Sequence, residues 1–301
     1  MLFTNLPTSL RIGVIRGGSE PMYDTSIKTG AYILKNLSQT HNPIDIFISK
    51  GGDWYVQGIQ RSPDRILKNI DVVLNSLHGN FGEDGGIQEI LNNHGVKYVG
   101  SDRLSSAFAM NRHLAKEKLF RNGVKTPVFS IVKKGEDILL KARQIWNSLI
   151  HPFAVKPGKG GSAFGFAIAN SFEELVGIIS ELSLRHDVVL VEEFIPGVSV
   201  SCLVTENLRD SSLYAFPPST QLKYEQAQEV ENLAKKVHQI LELSHLSQSD
   251  FIIAPKRGVY FLEVDTSPKI AEKSLANKSL ESVGISTNDF LHHLIRLRLN
   301  E

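Results

Sequence analysis

Short apolar runs alternate with amphipathic helix patterns along the first hundred residues, and this alternation constrains the fold more than any other feature of the chain. The apolar runs Arg11–Arg16, Asp45–Ser49 and Asp71–Leu77 are separated by helix patterns near Ser26–Leu37 and Pro63–Asn69. Strands that alternate with helices are typical of βαβ units, whose strands form a parallel sheet. The sequence therefore predicts an α/β fold that begins with a parallel-sheet domain over residues 1–100.

The pattern changes after residue 100. One helix is expected to begin at the capping residue Asp102 and to end at Gly123, with its apolar positions at Leu104, Phe108, Leu114 and Leu119. Strand and helix patterns then follow in the order of two smaller α+β units, and one of the helices begins with the capping box Ser171-x-x-Glu174. We predict a central domain over residues 101–189 and a carboxyl-terminal domain over residues 190–301.

Composition excludes several classes of protein. The 301 residues carry 33 Lys and Arg against 32 Asp and Glu, so a surface that binds nucleic acid over the whole chain is not expected. A single cysteine, Cys202, rules out an internal disulfide framework and is expected to be a small buried core residue. No uncharged apolar run approaches the ~18 residues of a membrane span. We expect a cytoplasmic protein without a membrane partner.

Four glycines are concentrated in the segment Lys156–Gly165, KPGKGGSAFG. Glycine lets a backbone approach a ligand closely and point its N–H groups at an anion. The sequence of residues 158–163 also fits a dinucleotide-binding fingerprint. That motif must begin a helix, whereas the following segment FGFAIA predicts a strand. We therefore predict a strand–loop–strand hairpin over phosphate groups, with Lys156 as a fixed positive charge. An ordinary flexible hairpin is the alternative.

Glu263 and Asp265 lie two residues apart in the predicted strand Val259–Asp265, so their carboxylates should leave the same face. Asp250 begins the neighbouring predicted strand. Three clustered carboxylates repel one another unless a hard cation lies among them, and Mg²⁺ is usually held by carboxylates together with nucleotide phosphates. The pattern predicts a magnesium site, and a solvated acidic strand face is the alternative.

A third candidate is the loop His78–Gly86, HGNFGEDGG, directly after the apolar run DVVLNSL. Parallel sheets bind their ligands at the carboxyl ends of their strands, which is where this loop falls. A glycine-rich turn without a function is the alternative.

Five segments in this order resemble the D-alanine–D-alanine ligase family of the ATP-grasp enzymes, and the match runs from about Arg11 to the carboxyl terminus. They are Asn75–Gln88, Tyr98–Leu119, Lys156–Gly165, Leu190–Gly197 and Leu262–Leu275.

The resemblance implies an ATP-grasp fold, in which two α+β domains after the amino-terminal domain clamp ATP. It implies two Mg²⁺ ions, with Mn²⁺ as a substitute, and two small amino-acid substrates. One substrate carboxylate is phosphorylated to an acyl phosphate, which the amine of the second substrate attacks. Such a reaction depends on positioning and on neutralisation of charge rather than on a protein nucleophile. Family members are often dimers, so a homodimer is a further expectation.

The resemblance also implies roles for individual residues. Arg112 and Lys156 would bind the phosphates of ATP. The adenine would be bordered by Glu192, which would take its amino group, and by Glu193, Phe194 and Ile195. The metal ligands would be Asp250, Glu263 and Asp265, and the catalytic residues Ser162 and Lys269. The substrate-binding residues would be His78 at the first substrate, Glu83, and Ser274 at the carboxylate of the second.

The chain also departs from the family pattern. Met22 aligns with the glutamate that usually anchors the substrate ammonium, although Glu20 or Asp24 could reach the same place. Lys269 replaces a glycine and could supply a positive charge to the reaction intermediate. The long loop that closes the family's active site is shortened to residues 214–224, where the pair Lys223-Tyr224 is expected to flank a helix rather than to form a displaced lid.

Three functions are compatible with these residues. The first is an ATP-dependent ligase that joins D-alanine to D-alanine for peptidoglycan synthesis. The second is a relative with the same ATP chemistry and a different carboxylate or amine substrate. The third is a degenerate regulatory protein that binds Mg-ATP without ligation.

Overall fold

A computed structural model describes residues 6–160 and 165–301 of the chain. These residues divide into two compact units. Unit 1 comprises the chain up to Phe108 together with Ser201–Ser249 and Asp265–Glu301, and unit 2 comprises Ala109–Val200 and Asp250–Val264. Residues 190–301, predicted as one domain, are thus shared between the two units, and the three-domain division stays a prediction.

Unit 1 is built on a six-stranded sheet that confirms the predicted βαβ pattern. The elements of its first segment are β1 (Ile12–Gly17), α1 (Tyr23–Leu37), β2 (Ile44–Ile48), β3 (Trp54–Val56), β4 (Ile59–Gln60), α2 (Pro63–Leu67), β5 (Val72–Asn75), α3 (Gly86–Asn93) and β6 (Lys97–Val99), followed by α4 (Arg103–Met110). The strand order is β4-β3-β2-β1-β5-β6. Strands β2, β1, β5 and β6 are parallel, as predicted.

The edge of this sheet is an antiparallel hairpin that the sequence pattern did not indicate. Strand β3 pairs antiparallel with both β2 and β4. Its two-residue turn places Gln57 and Gly58 at φ values of 53° and 75°, the left-handed region that such hairpin turns require. The short β4 is exposed, so it carries no apolar alternation from which a strand could be read.

The carboxyl-terminal residues of the chain complete the core of unit 1. Helices α9 (Leu275–Ser282) and α10 (Thr287–Leu299) bring Leu280, Phe290 and Leu294 into the same buried cluster as Val14 and Leu74 of the parallel sheet. The apolar stripe of α10 is therefore buried against residues more than 200 positions earlier in the chain.

Unit 2 contains a four-stranded antiparallel sheet with two helices packed against it. Its elements are α5 (Arg112–Arg121), β7 (Phe129–Lys133), α6 (Ile138–Ser148), β8 (Phe153–Pro157), β9 (Ala167–Ala169), α7 (Phe172–Ser183) and β10 (Val188–Glu193). The strand order is β7-β10-β8-β9. The core joins Phe153 and Val191 of the sheet to Ile145 and Ile179 of the helices.

Helix α7 begins as the capping box predicts. The Ser171 hydroxyl accepts a hydrogen bond from the Glu174 backbone N–H at 3.1 Å. The Glu174 carboxylate accepts the N–H of Asn170 at 2.7 Å, and this bond holds the pKa of that carboxyl below its ordinary value. The start of the helix is thus fixed by local hydrogen bonds that the sequence itself encodes.

A third sheet has strands that run from one unit into the other. Its elements are β11 (Val198–Leu208), β12 (Ser211–Ala215), β13 (Leu246–Ala254) and β14 (Gly258–Asp265), with α8 (Tyr224–Ile240) between β12 and β13. The strand order is β12-β11-β13-β14. Cys202 lies fully buried on β11, where its thiol donates to the carbonyl of Phe216 and burial raises its pKa, as expected for a core cysteine.

The single helix predicted from Asp102 to Gly123 is wrong, because two helices occupy this segment. Asn111 takes an extended conformation and caps the second helix by accepting the N–H of Leu114. The predicted apolar stripe is also out of phase, since Leu104 is 77% exposed and Leu114 37% exposed. An asparagine that caps a new helix interrupts a pattern that periodicity alone would continue.

Across the described residues, none of the helices combines the length with the apolar character that a membrane-spanning segment requires.

Candidate functional site

The glycine-rich segment lies in unit 2 and joins two antiparallel strands. Phe153 of β8 pairs with Ala169 of β9, and Val155 pairs with Ala167. The predicted hairpin is therefore confirmed, and the dinucleotide fingerprint is excluded because a strand follows it. Ser162, predicted to be catalytic, lies outside the described residues.

The start of α5 is fastened to the first half of this hairpin. The backbone N–H of Arg112 donates to the carbonyl of Gly158 at 3.0 Å, and its guanidinium donates to the carbonyl of Pro157 at 2.8 Å. Asn111 and Lys159 also form a β-bridge. The described entrance to the glycine loop is thus held in place by hydrogen bonds that its main-chain carbonyls accept from Arg112.

Arg112 also contacts a predicted metal ligand. Its Nε and Nη2 donate to Glu263 Oε2 at 3.2 and 3.0 Å. Arg112, predicted to bind phosphate, and Glu263, predicted to bind metal, therefore lie together at the end of the glycine hairpin. A guanidinium suits this place because its rigid fork can donate to a carboxylate and a carbonyl at once.

Two buried lysines enclose the carboxylate of Glu192. Lys116 Nζ lies 3.0 Å from Oε1, and Lys156 Nζ lies 3.1 Å from Oε2. Burial lowers the pKa of Lys116 to about 8, against the raising effect of Glu192. Burial also opposes the ionised form of Glu192, but the two ammonium groups outweigh it and lower the pKa of this carboxyl.

The sequence analysis did not identify Lys116. A signal was present, because Lys116 lies four residues after Arg112 and so shares its face of α5. Lysine is almost never fully buried without a partner, and this partner, Glu192, lies 76 residues later in the chain.

Glu193, Phe194 and Ile195, predicted together with Glu192 to border adenine, follow it in unit 2. The Glu193 carboxylate accepts two hydrogen bonds from Arg257 at 2.6 and 3.2 Å, and this pair raises the pKa of Arg257. The N–H of Phe194 donates to Pro152, and Ile195 is buried. Their contact with a base stays a prediction.

In unit 1 the loop after β5 holds His78 and Glu83 together. His78 Nδ1 lies 3.3 Å from Glu83 Oε1, and its Nε2 lies 3.1 Å from the hydroxyl of Thr29. Loss of hydration lowers the pKa of His78 to about 4, a change that Asp265 opposes and Lys269 adds to. The imidazole is therefore neutral at pH 7. Thr29 gave no signal in the sequence, because it meets His78 only through the packing of α1.

Asp265 and Lys269 belong to the same electrostatic environment as His78. Loss of hydration, followed by the neighbouring Glu83 carboxylate, raises the pKa of Asp265 to about 7. His78, the N–H of Ser267 and Lys269 act in the opposite direction. Lys269 thus supplies positive charge beside the predicted first-substrate residues.

Ser274 is the capping residue of α9. Its hydroxyl oxygen accepts the N–H of Asn277 at 3.1 Å and that of Ala271 at 3.2 Å. Both contacts use the oxygen as an acceptor, which is compatible with donation of the hydroxyl hydrogen to a carboxylate.

The predicted metal ligands occupy two neighbouring strands of the third sheet. Asp250 lies on β13 and Glu263 on β14, both in unit 2, and Asp265 follows two residues later at the end of β14. The residue types fit a hard cation because all three offer carboxylate oxygens, but these oxygens are not among the ligand atoms that lie within 4.8 Å of one another in the described residues. Burial, followed by the neighbouring Glu83 carboxylate, raises the pKa of Asp265, and a bound cation would favour its ionised form.

Another group of possible ligands does not fit a metal. Glu206, His245 and Glu301 of unit 1 have oxygen and nitrogen atoms within 4.8 Å of one another. The N–H of Gly100 donates to His245 Nδ1 at 2.8 Å, so the ring proton lies on Nε2, which is 3.0 Å from Glu301. A ring nitrogen that carries a proton offers no lone pair to a metal, and buried His245 is instead paired with the exposed Glu301.

The structure also shows the surroundings of the residues that depart from the family pattern. Glu20 forms an exposed ion pair with Lys50, whereas Met22 is buried beside Gly79. The N–H of Ser219 donates to Ser201 of β11 at 2.8 Å, so the short segment after β12 is bonded to the sheet.

Lys223 precedes α8, and Tyr224, 75% exposed, is the first residue of that helix. The prediction that this pair flanks a helix is confirmed.

The chain is similar to known proteins along most of its length. The family model described as D-ala D-ala ligase N-terminus matches residues 57–101, and the model described as D-ala D-ala ligase C-terminus matches residues 119–216 and 209–296. A D-alanine–D-alanine ligase of Clostridium beijerinckii is 29% identical and covers 95% of this chain and 98% of its own length. A D-alanine–D-alanine ligase of Caldicellulosiruptor bescii is 28% identical, and the match covers 98% of this chain and 96% of that protein.

Solved structures agree with these matches. A D-alanine–D-alanine ligase from Bacillus anthracis, complexed with ATP, superposes with a TM-score of 0.81 at 25% identity over 97% of each chain. The VanG D-Ala:D-Ser ligase from Enterococcus faecalis has a TM-score of 0.86 at 25% identity and covers 96% of this chain and 99% of its own. These matches confirm the predicted resemblance, the ATP-grasp fold and the class of enzyme.

Proposed function

The chain belongs to the D-alanine–D-alanine ligase family, and we propose that it joins two molecules of D-alanine at the expense of ATP for peptidoglycan synthesis. The observation that carries the proposal is the group of buried charges at the glycine hairpin, where Lys116, Lys156 and Arg112 meet Glu192 and Glu263. Buried ions of this kind cost free energy, and a cluster of them beside a glycine-rich loop is typical of a site that binds a charged ligand.

In the first step Lys156 and Arg112 hold the phosphates of ATP over the glycine hairpin. The carboxylate of the first D-alanine attacks the γ-phosphorus, the bond to ADP breaks, and an acyl phosphate forms. Neutral His78 and its partner Glu83 would line the place of this substrate. Positioned positive charge is the main contribution of a protein to phosphoryl transfer.

In the second step the amine of the other D-alanine attacks the acyl carbon. Phosphate leaves as the peptide bond forms, and the amine gives up a proton. The Ser274 hydroxyl would donate to the carboxylate of this substrate, and Lys269 would stabilise the tetrahedral intermediate. Ser162 would act beside the reacting phosphate, as the family motif implies.

Two Mg²⁺ ions would be held by Asp250, Glu263 and Asp265 together with ATP, and Mn²⁺ could replace them. When bound, such ions neutralise the phosphate charge that builds up during the transfer. The protein's own part is to orient these carboxylates, as Arg112 does for Glu263.

The decisive experiment measures ADP release from Mg-ATP with a panel of D- and L-amino acids, together with mass detection of any dipeptide. We expect ADP release that requires D-alanine, with D-alanyl-D-alanine as the product. ATP binding without turnover on any amino acid would contradict the proposal and favour the degenerate regulatory protein.

A ligase with a different substrate pair is the second candidate, and two observations favour testing it. Met22 is buried where an acid would anchor the substrate ammonium, and the VanG structure is a D-Ala:D-Ser ligase. D-Serine therefore belongs in the panel, and D-alanyl-D-serine as the main product would establish this alternative.

The location and assembly proposed for the enzyme follow from its substrates and its family. We propose a cytoplasmic location, where ATP and free D-amino acids are available, without a membrane or nucleic-acid partner. A homodimer is the proposed assembly, which the molar mass in solution would test.

A further inference from the structure

Lys116 is a charged residue with no exposed surface. Its side chain is fully buried, and its Nζ lies 5.8 Å from the centre of the Phe261 ring as well as 3.0 Å from Glu192. A buried lysine costs a large desolvation free energy, which a single ion pair with a carboxylate seldom recovers in full. An apolar residue at this position would avoid that cost, so the charge itself requires an explanation.

The two oxygens of Glu192 are divided between the two lysines. Oε1 contacts Lys116, and Oε2 contacts Lys156, whose side chain is 10% exposed. Lys116 thereby draws the carboxylate toward the interior and leaves only one of its oxygens to Lys156. The ammonium of Lys156 is the member of this trio that has access to the exterior.

The sum of the charges shows what Lys116 adds. Lys116, Glu192 and Lys156 together carry a net charge of +1, whereas Glu192 and Lys156 alone would be neutral. Arg112 and Glu263 also cancel each other. In a buried environment of low dielectric constant, a net charge of +1 attracts an anion far more strongly than a neutral pair does.

We propose that Lys116 is a positioning residue of the nucleotide site: it holds Glu192 and compensates its charge, so that Lys156 remains an effective cation for a polyphosphate. The inference rests on the proposed function only in that Mg-ATP binds at the glycine hairpin. It assigns the effect to charge at the phosphates, and the triphosphate probe separates this effect from the predicted contact of Glu192 with adenine.

The test compares three variants by equilibrium binding of two probes, Mg-ATP and inorganic triphosphate, without amino-acid substrates. K116M makes the trio neutral, and we expect it to weaken the binding of both probes by about 10-fold or more, because the net attraction is lost. K116M/E192Q returns the net charge to +1, and we expect triphosphate binding within about threefold of the unaltered protein. K116R, which keeps the charge, is the matched control.

Restored binding in the double variant distinguishes an effect of charge from an effect of packing. If Lys116 only supported packing, removal of Glu192 as well would not restore binding, and a double variant as weak as K116M would overturn the proposal. Unchanged triphosphate binding by K116M would overturn it too. If K116M does not fold, the test depends on the double variant, in which no buried carboxylate needs a compensating charge.

Failure of the proposed function gives a different result. Binding of Mg-ATP without ligation would contradict the ligase activity and leave this inference to be decided by the variants. An unaltered protein that binds neither probe would overturn both.

Discussion

Arg112 and Glu263 are joined through a single carboxylate oxygen. Two nitrogens of the guanidinium, Nε and Nη2, donate to Glu263 Oε2 at 3.2 and 3.0 Å. A third, Nη1, donates to the carbonyl of Pro157 at the entrance to the glycine hairpin. One arginine therefore orients the carboxylate proposed to bind metal and the strand end proposed to bind phosphate, both within unit 2.

The first prediction concerns the charge of Glu263. We expect Glu263→Gln to lower Mg-dependent ADP release by at least about 100-fold, because the amide cannot neutralise a cation. The amide oxygen can still accept from Arg112, so thermal unfolding should change little. Glu225→Gln, on the exposed first turn of α8, is the matched control. Turnover that survives in Glu263→Gln would show that this carboxylate is merely solvated.

The second prediction concerns Lys269, which lies in the electrostatic environment of Asp265 and His78. Lys269→Ala should lower kcat by about 100-fold if the ammonium stabilises the tetrahedral intermediate, with little change in the KM for ATP. Lys278→Ala, an exposed lysine of α9, should leave kcat unchanged. A Lys269→Ala enzyme with normal turnover would rule out the catalytic role.

The third prediction separates two roles of Ser274. Ser274→Ala removes a helix cap and should lower the free energy of unfolding by about 1 kcal/mol. Ser274→Asp keeps an acceptor for the N–H groups of Asn277 and Ala271, so its stability should be near normal. Its negative charge should nevertheless raise the KM for the second amino acid, because it repels a carboxylate. An unchanged KM in Ser274→Asp would remove Ser274 from the substrate site.

The fourth prediction concerns the exposed Tyr224 at the start of α8. Tyr224→Ala should leave kcat and both KM values within about twofold of normal, since exposed substitutions away from special sites have small effects. The next segment toward the amino terminus is bonded to β11 through Ser219, which keeps it on the sheet. A loss of tenfold or more in kcat would instead identify the Lys223-Tyr224 pair as a displaced lid.

The fifth prediction is a pH dependence of stability that comes from Lys116. Burial lowers its pKa to about 8 in the folded chain, from an ordinary value of 10.5. Between these two values the unfolded chain binds the proton more strongly, so the stability of the folded state rises with pH.

The measurement is the free energy of unfolding as a function of pH for the unaltered protein and for K116M. We expect the difference, unaltered minus K116M, to rise from pH 8 to pH 10.5 and to be flat near pH 7. A difference that falls across this window would mean that Glu192 raises the pKa of Lys116 instead.

Local sequence determined the features that depend on neighbouring residues. The parallel strands β1, β2 and β5 follow from apolar runs, and the start of α7 follows from the capping box of Ser171 and Glu174. The hairpin around the glycine segment follows from its strand pattern. Each of these depends on the period or the spacing of residues close together in the chain, which the sequence displays directly.

Tertiary structure decided which distant side chains meet. The partner of Lys116 is 76 residues away, and Thr29 reaches His78 across 49 residues through the packing of α1. Helix α10 completes a core whose sheet lies at the other end of the chain. The sequence displays charge and periodicity, but burial sets the free energy of a charge and the choice of its partner, and burial exists only once the chain is folded.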